Sequence, residues 1–164
     1  MKLFSPTLLV LAAFVFVVGC SKSNNSSGVS TQGNLSATTG ASSFSATSTY
    51  GFYSQSLALI GVLGYTIQSS DTTLIQLEMA YIPPVNKSFS SDSVSELGMS
   101  YQIGNKHYGA FLGQGSVVIN LSIADTVLHN LAGTFSGVVY NDLNANDSVI
   151  ITNGKFNTGY TVSP

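Results

Sequence analysis

Apolar residues at every second position recur from about residue 34 to the C-terminus, and this period constrains the fold more than any other feature. A β-strand turns successive side chains to opposite faces, so each alternating segment predicts a half-buried strand. The residues assigned to inner faces are Ile75, Leu77, Met79 and Tyr81, then Val117, Ile119, Leu121 and Ile123, then Leu131, Phe135 and Val139. No segment in this region shows a helical period, and the sequence therefore predicts an all-β domain.

Turn residues divide this region into short strands. Asn153-Gly154 and Gly104-Asn105 each predict a two-residue hairpin turn, because these residues readily adopt positive φ. Strands at this spacing predict an antiparallel β-sandwich of about eight strands. A small lipocalin-like β-barrel is the alternative, because it uses the same alternation.

One stretch, SLALIGVLGYTI, is apolar on both faces and predicts a central strand of the sheet. Gly61 and Gly64 within it are expected to leave room for neighbouring side chains.

The chain carries few charges, and this composition excludes several classes of function. Only 7% of its residues are charged, the formal net charge is −2, and there is no arginine. Recognition of phosphate groups relies on clustered Arg and Lys, so the composition argues against nucleic acid as a partner.

The first 19 residues have the pattern of a signal peptide. A positive start, Met1-Lys2, precedes the apolar run PTLLVLAAFVFVV. This run is shorter than a membrane-spanning helix requires, and no charged stop follows it. We therefore assign residues 1–19 to a signal peptide, residues 20–33 to an anchored tether and residues 34–164 to a single β domain.

The run ends at VVGC, which contains the only cysteine of the chain, Cys20. VVGC resembles the lipobox of bacterial lipoproteins. The resemblance implies cleavage before Cys20, which then carries a diacylglyceryl thioether and an N-acyl chain such as palmitate. Several acyl chains anchor a protein stably to a membrane. Ser21 follows the cysteine, and no acidic residue lies near it, so the resemblance implies an outer-membrane lipoprotein facing the periplasm, with surface exposure as the alternative.

A Ser-, Asn- and Gly-rich segment, SKSNNSSGVSTQGN, separates Cys20 from the predicted domain. It has no apolar period, and its composition predicts a flexible tether.

The C-terminal segment contains GTFS (residues 133–136) and ITNGKF (residues 151–156). With an Asn/Asp-rich turn between them, these motifs resemble a family of uncharacterised β-rich lipoproteins of the Bacteroidota. The resemblance covers about 45 residues of strand and turn, which suits the β fold already predicted. It implies no activity, because the family has no established biochemical function.

One loop, NDLNANDS, has the ligand spacing of a calcium site. Asp142, Asn144 and Asn146 alternate, and Asp147 follows, which places hard oxygen ligands at alternate positions. The glycine and glutamate expected later in an EF-hand loop are missing. A polar hairpin loop without metal is the alternative interpretation, and we otherwise expect no cofactor.

No catalytic arrangement is evident in the sequence. His107 and His129 are the only histidines, and they lack zinc-ligand spacing. The segment GQGSV lacks the second glycine of a nucleophile elbow. We therefore expect a protein that is not an enzyme.

Four of the five aspartates precede a hydroxyl residue that is followed by Val or Thr. These segments resemble O-glycosylation motifs of exported Bacteroidota proteins, although the same dipeptides are common in turns. The acceptors that this resemblance implies are Thr72, Ser93, Thr126 and Ser148.

Taken together, these features predict a lipid-anchored lipoprotein of the cell envelope that acts as a non-catalytic binding or structural module. The alternative is a lipocalin-like carrier, in which aromatic strands enclose a small apolar ligand. The membrane is the expected partner through the lipid, and the sequence leaves a protein or glycan partner open.

Overall fold

A computed structural model describes residues 33–68, 71–80, 88–90, 97–110 and 114–164. The strands within these ranges are β1 (Asn34–Thr39), β2 (Ser42–Ser45), β3 (Ser48–Ser54), β4 (Leu59–Gln68), β5 (Asp71–Met79), β6 (Ser88–Ser90), β7 (Leu97–Ile103), β8 (Lys106–Ala110), β9 (Ser116–Asp125), β10 (Asn130–Asn141) and β11 (Asn144–Ser163). The all-β prediction is confirmed. None of the described residues belongs to a helix that could cross a membrane.

The strands form one mostly antiparallel sheet in the order β2-β1-β11-β3-β4-β5-β7-β8-β10-β9-β6, and β10 also pairs with β11. The pairings from β11 through β3, β4, β5, β7, β8 and β10 therefore return to β11 and surround one core. Among the pairings of the described strands, only β11–β3 is parallel. This curled sheet is consistent with a sandwich or a barrel-like fold, and it has more strands than the predicted number of about eight.

The core contains the inner-face residues that the alternation predicts. Within the described part of the chain, ten of the eleven assigned residues can be checked, because Tyr81 lies outside it. Nine of these ten are buried, with exposures of 0–3%.

The exception is Ile123, which is 40% exposed, so its predicted inner position is wrong. The register between β9 and β10 shifts between Ala132 and Gly133, where Ala132 pairs with Ile123 and Gly133 with Leu121. The bulge adds one residue to β9 and turns the following side chains over.

The predicted hairpin at Asn153-Gly154 is also wrong, because both residues lie inside the 20-residue strand β11. Asn153 has φ 53°, and β11 contains one extra residue here relative to both β1 and β10. This bulge keeps Ile151 and Phe156 on the same inner face although five positions separate them. The left-handed backbone conformation of Asn153 would also suit a tight turn. In this structure it forms a bulge within a continuous strand.

The hairpin predicted at Gly104-Asn105 is confirmed. It joins β7 to β8, and Tyr101 pairs with Tyr108 across it. The prediction of a central strand is confirmed as well, since β4 lies between β3 and β5. A Cβ on Gly61 would lie 2.8 Å from the carbonyl oxygen of Leu77, so the strands approach closely here.

The long strand β11 gives the molecule two distinguishable ends. The hairpins β7–β8 and β10–β11 and the β1–β2 turn lie towards the start of β11, which we call the groove end. The chain enters β1 through Gly33 beside Asn157 and Thr158, and the β3–β4 and β9–β10 hairpin tips lie further along β11. We call this second end the entry end.

Candidate functional site

An open groove with a volume of about 1390 Å³ lies at the groove end. One wall is the β7–β8 hairpin with the start of β5, and the other is the first half of β11 with the β1–β2 turn. The residues that line it are Thr39, Gly40, Ser42, Asp71, Thr72, Tyr101, Gln102, Ile103, Gly104, Asn105, Lys106, Tyr108, Ser148, Val149, Ile150 and Thr152. Hydroxyl and amide groups are common in this lining, and only two of its residues are charged at neutral pH.

Two tyrosines form the base of the first wall. The rings of Tyr101 and Tyr108 have centroids 5.8 Å apart, and both residues are only 5% exposed. The hydroxyl of Tyr108 donates a hydrogen bond of 3.1 Å to Oδ2 of Asp147 on β11. This bond ties the two walls of the groove together, and pairing across the hairpin fixes the position of the donor.

Asp147 is the centre of a small polar cluster behind the groove. The same carboxylate oxygen accepts a 3.3 Å bond from Nδ2 of Asn141 and lies 3.7 Å from Nζ of Lys106. The lysine side chain is 60% exposed, so solvent screens this ion pair and it contributes little to stability. The hydrogen bonds from Tyr108 and Asn141 therefore hold the cluster.

The second wall contains a strand edge with no described partner. Beyond β1, the amide of Gly40 donates to the carbonyl of Ile150, which shows that the polar backbone groups of Ile150 point away from β10. Backbone direction alternates along a strand, so those of Ser148 and Asn146 point to the same side. Asn146 donates its amide to Oδ1 of Asn144. Among the described residues, no strand pairs with β11 on this side before Ile150.

The residues of the predicted calcium loop lie in the turn of the β10–β11 hairpin and at the start of β11. Asp142 lies in the turn itself, and Asn144 and Asn146 are exposed on β11. The oxygen of Asn144 and the carboxylate of Asp147 already accept hydrogen bonds from protein donors. Within the described ranges no group of three or more His, Cys, Asp or Glu residues could hold a metal. The calcium site stays a prediction.

The predicted O-glycosylation acceptors are not brought together at one place. Thr72 and Ser148 both line the groove. Thr126 is exposed in the β9–β10 hairpin tip at the entry end, and Ser93 lies outside the described residues. Modification at any of these positions stays a prediction.

The two histidines lie at opposite ends of the molecule. His107 is exposed on β8 at the groove end. His129 follows the β9–β10 tip with φ 50°, and its ring lies 5.1 Å from that of Tyr160. Burial, followed by the charge of Asp125, raises the pKa of Tyr160 above its ordinary value. The ring contact with Tyr160 gives His129 a role in packing at the entry end.

Sequence reasoning missed the unpaired edge of β11 and the bond from Tyr108 to Asp147. The facing pair Tyr101–Tyr108 was a usable signal for one wall. No sequence signal showed that β11 would continue through Asn153-Gly154 and place its first half opposite that wall.

Comparisons with protein-family models, with curated proteins and with solved structures return no match for this chain. Membership of the β-rich Bacteroidota lipoproteins, which GTFS and ITNGKF resemble, stays a prediction. Cys20, the predicted lipidation site, lies outside the described residues.

Proposed function

We propose that this chain is a lipid-anchored module of the cell envelope that binds an extended polypeptide segment in the groove. The anchor is Cys20, and the ligand segment lies along the first half of β11. Its backbone pairs with the unpaired edge, and its side chains contact the polar lining. The module does no chemistry of its own.

The single observation that carries the binding proposal is the edge of β11 that pairs with no described strand, beside an open groove. A strand edge presents backbone donors and acceptors that readily pair with another chain. β1 pairs with this side of β11 as far as Thr39. The backbone amide and carbonyl of Ser148 lie further along the same side of β11 and point outward. A ligand strand would therefore extend the existing sheet without a rearrangement of the described strands.

The packing of the core favours this proposal over the lipocalin-like carrier. Twelve large side chains have exposures below 2%, and eight of them come from β4, β5, β7, β10 and β11 of the closed circuit of pairings. A carrier needs an apolar cavity of several hundred Å³, whereas the described side chains pack into one buried hydrophobic cluster.

The proposal for the anchor rests on VVGC and on the use of the only cysteine at that position. A free thiol in an exported protein is open to oxidation, and acylation removes it. The same resemblance supports a position at the outer membrane, facing the periplasm, with surface exposure as the alternative.

A library of random peptides, selected on the immobilised protein, tests the binding proposal. Ser148→Pro removes the outward amide while leaving the pairing with β10 intact, because Ser148 donates away from β10. We expect enriched peptides to bind the variant about tenfold more weakly. The hydrogen bond from the Ser148 amide to the peptide is lost, and the adjacent backbone hydrogen bond is strained.

Ser148→Ala is the matched control, because it keeps the amide and removes only the hydroxyl. Equal binding to wild type and Ser148→Ala, with loss in Ser148→Pro, supports strand addition. The proposal is contradicted if no peptide is enriched, or if Ser148→Pro binds as well as the wild type. Loss in Ser148→Ala alone would assign recognition to the side chain and contradict pairing through the backbone.

A further inference from the structure

The entry end carries exposed apolar side chains on two neighbouring hairpin tips. Leu57 in the β3–β4 tip is 60% exposed, and Val127 and Leu128 in the β9–β10 tip are 86% and 70% exposed. Large apolar side chains with this much exposure usually contact something outside the monomer when they are grouped.

Both tips point the same way along β11. Asn130, which follows one tip, pairs with Gly159, and Ser54, which precedes the other, pairs with Ser163. The C-terminal residues lie beside the β3–β4 tip, because the amide of Gln55 donates to the carbonyl of Ser163. The β3–β4 tip therefore follows the level of Ser163, whereas the β9–β10 tip begins four residues earlier along β11, beside Gly159.

The one carboxylate of the β9–β10 tip accepts hydrogen bonds from the backbone of the tip itself. Oδ1 of Asp125 accepts the backbone amides of Val127 and Leu128, each at 2.8 Å. The carboxylate thereby stabilises the turn, and the two apolar side chains remain at its outer surface. Neither tip contains Lys or Arg, so attraction to anionic lipid is not available to this surface.

The predicted anchor enters the domain at this same end. Gly33 lies against Asn157 and Thr158, next to the level of Gly159 at the β9–β10 tip and about five residues of β11, or roughly 17 Å, before the level of Ser163 at the β3–β4 tip. Twelve residues lie between Cys20 and Gly33. A Gly/Ser-rich chain of that length has an end-to-end distance of about 20 Å and an extended reach of roughly 45 Å. The anchor can therefore hold the tips against the bilayer surface.

We infer that the β3–β4 and β9–β10 hairpin tips form a membrane-contact surface, with Leu57, Val127 and Leu128 inserted at the bilayer interface. This inference rests on the proposed lipid anchor. Three side chains are too few to hold a protein on a membrane alone, whereas a tether raises their local concentration at the surface. The contact orients the domain so that the groove faces away from the lipid.

Single-tryptophan variants test this surface, because the chain contains no tryptophan. Leu128→Trp and Leu57→Trp are made in the full chain, which is reconstituted into phosphatidylcholine vesicles with brominated acyl chains. Leu143→Trp is the matched control, since Leu143 is 97% exposed in the β10–β11 turn at the groove end. We expect blue-shifted emission and several-fold stronger quenching at positions 128 and 57 than at 143.

Quenching at 128 and 57 that is no stronger than at 143 would overturn the inference. Equal quenching at all three positions would also overturn it, because the domain would then have no fixed orientation. The intact mass of the same protein reports separately on acylation. If no acyl group is present, the thiol of Cys20 is coupled to a maleimide phospholipid, and the quenching comparison decides the inference by itself.

A glycan on Thr126 and a bilayer at Val127 exclude one another, because the two residues are adjacent in one tip. We therefore expect the protein purified from membranes to carry no sugar at Thr126. Peptide mass spectrometry measures this directly, and a glycan there would contradict the membrane-contact surface.

Discussion

Asn153 shows how one residue determines the course of a long strand. Its positive φ and the extra residue on β11 allow Ile151 and Phe156 to share the core face. β-Branched residues strongly resist this conformation, whereas glycine adopts it freely.

Substitution at Asn153 should therefore depend on backbone preference. We expect Asn153→Val to lower the free energy of unfolding by about 1–2 kcal/mol, because its branched side chain is strained at positive φ. Asn153→Gly should change it by less than about 0.5 kcal/mol. Urea denaturation measures both, and equal effects would show that φ at this position does not matter.

Thr49 is a second residue with a distinct expectation. It is 1% exposed on β3, and its hydroxyl has no hydrogen-bond partner among the described residues. We expect Thr49→Val to raise the free energy of unfolding by up to about 1 kcal/mol, because an unsatisfied polar group is replaced by an apolar one of the same shape. Thr158→Val is the control, since the Thr158 hydroxyl donates to Gly159. A loss of stability in Thr49→Val would contradict the isolation of its hydroxyl.

Asp125 gives the β9–β10 tip a dependence on pH. The amides of Leu128 and then Val127 hold the pKa of its carboxylate below the ordinary value of 3.8. A lowered pKa in the folded state means that the stabilisation is present above 3.8 and is lost as the pH falls through the lower folded value. We expect protection of the Val127 and Leu128 amides from exchange to decline only in this acidic range. Asp125→Asn should remove the pH dependence, and unchanged profiles in that variant would contradict this explanation.

Among the elements, most strand faces were predictable from sequence, whereas only one of the two predicted hairpin turns was correct. Alternation placed Ile75 and Val117 correctly because burial of one face is a local property of each strand. Asn153-Gly154 was misread because positive φ serves a turn and a bulge equally. Only the pairing of β11 with β1 and β10 on both sides decides between them, and this pairing is non-local.

The candidate site was predictable only in part for the same reason. The pairing of Tyr101 with Tyr108 follows from the local turn at Gly104-Asn105. The bond from Tyr108 to Asp147 joins residues 39 positions apart, and it depends on how the sheet closes.

This bond between β8 and β11 can be tested by substitution. We expect Tyr108→Phe to lower the free energy of unfolding by about 1 kcal/mol, because one part-buried hydrogen bond is removed. Lys106→Ala should have almost no effect, since its ion pair is exposed to solvent. Chemical denaturation of both variants measures the difference, and a larger loss in Lys106→Ala would assign the stability to charge instead.

The β10–β11 hairpin gives a clear expectation for metal addition. Because Asn144 and Asp147 already accept protein hydrogen bonds, we expect millimolar Ca²⁺ or its removal by chelator to leave the melting temperature unchanged. A ligand that binds only the folded state raises that temperature. A rise with Ca²⁺, abolished in Asp147→Asn, would establish the calcium site.

At the scale of the whole molecule, the two ends have separate roles in the proposed account. The chain enters at the end with exposed apolar tips, and the groove with its unpaired strand edge lies at the other end. An anchor at Cys20 would therefore leave the groove facing away from the membrane. The orientation of the groove in this account depends on whether Cys20 carries lipid.

The most direct test of that claim is the intact mass and detergent partitioning of the native protein beside Cys20→Ala. The account predicts a wild-type chain that begins at Cys20, carries the mass of several acyl chains and enters the detergent phase, while the variant does neither. If both proteins remain in the aqueous phase with the same modification, the lipid anchor and the orientation built on it are contradicted.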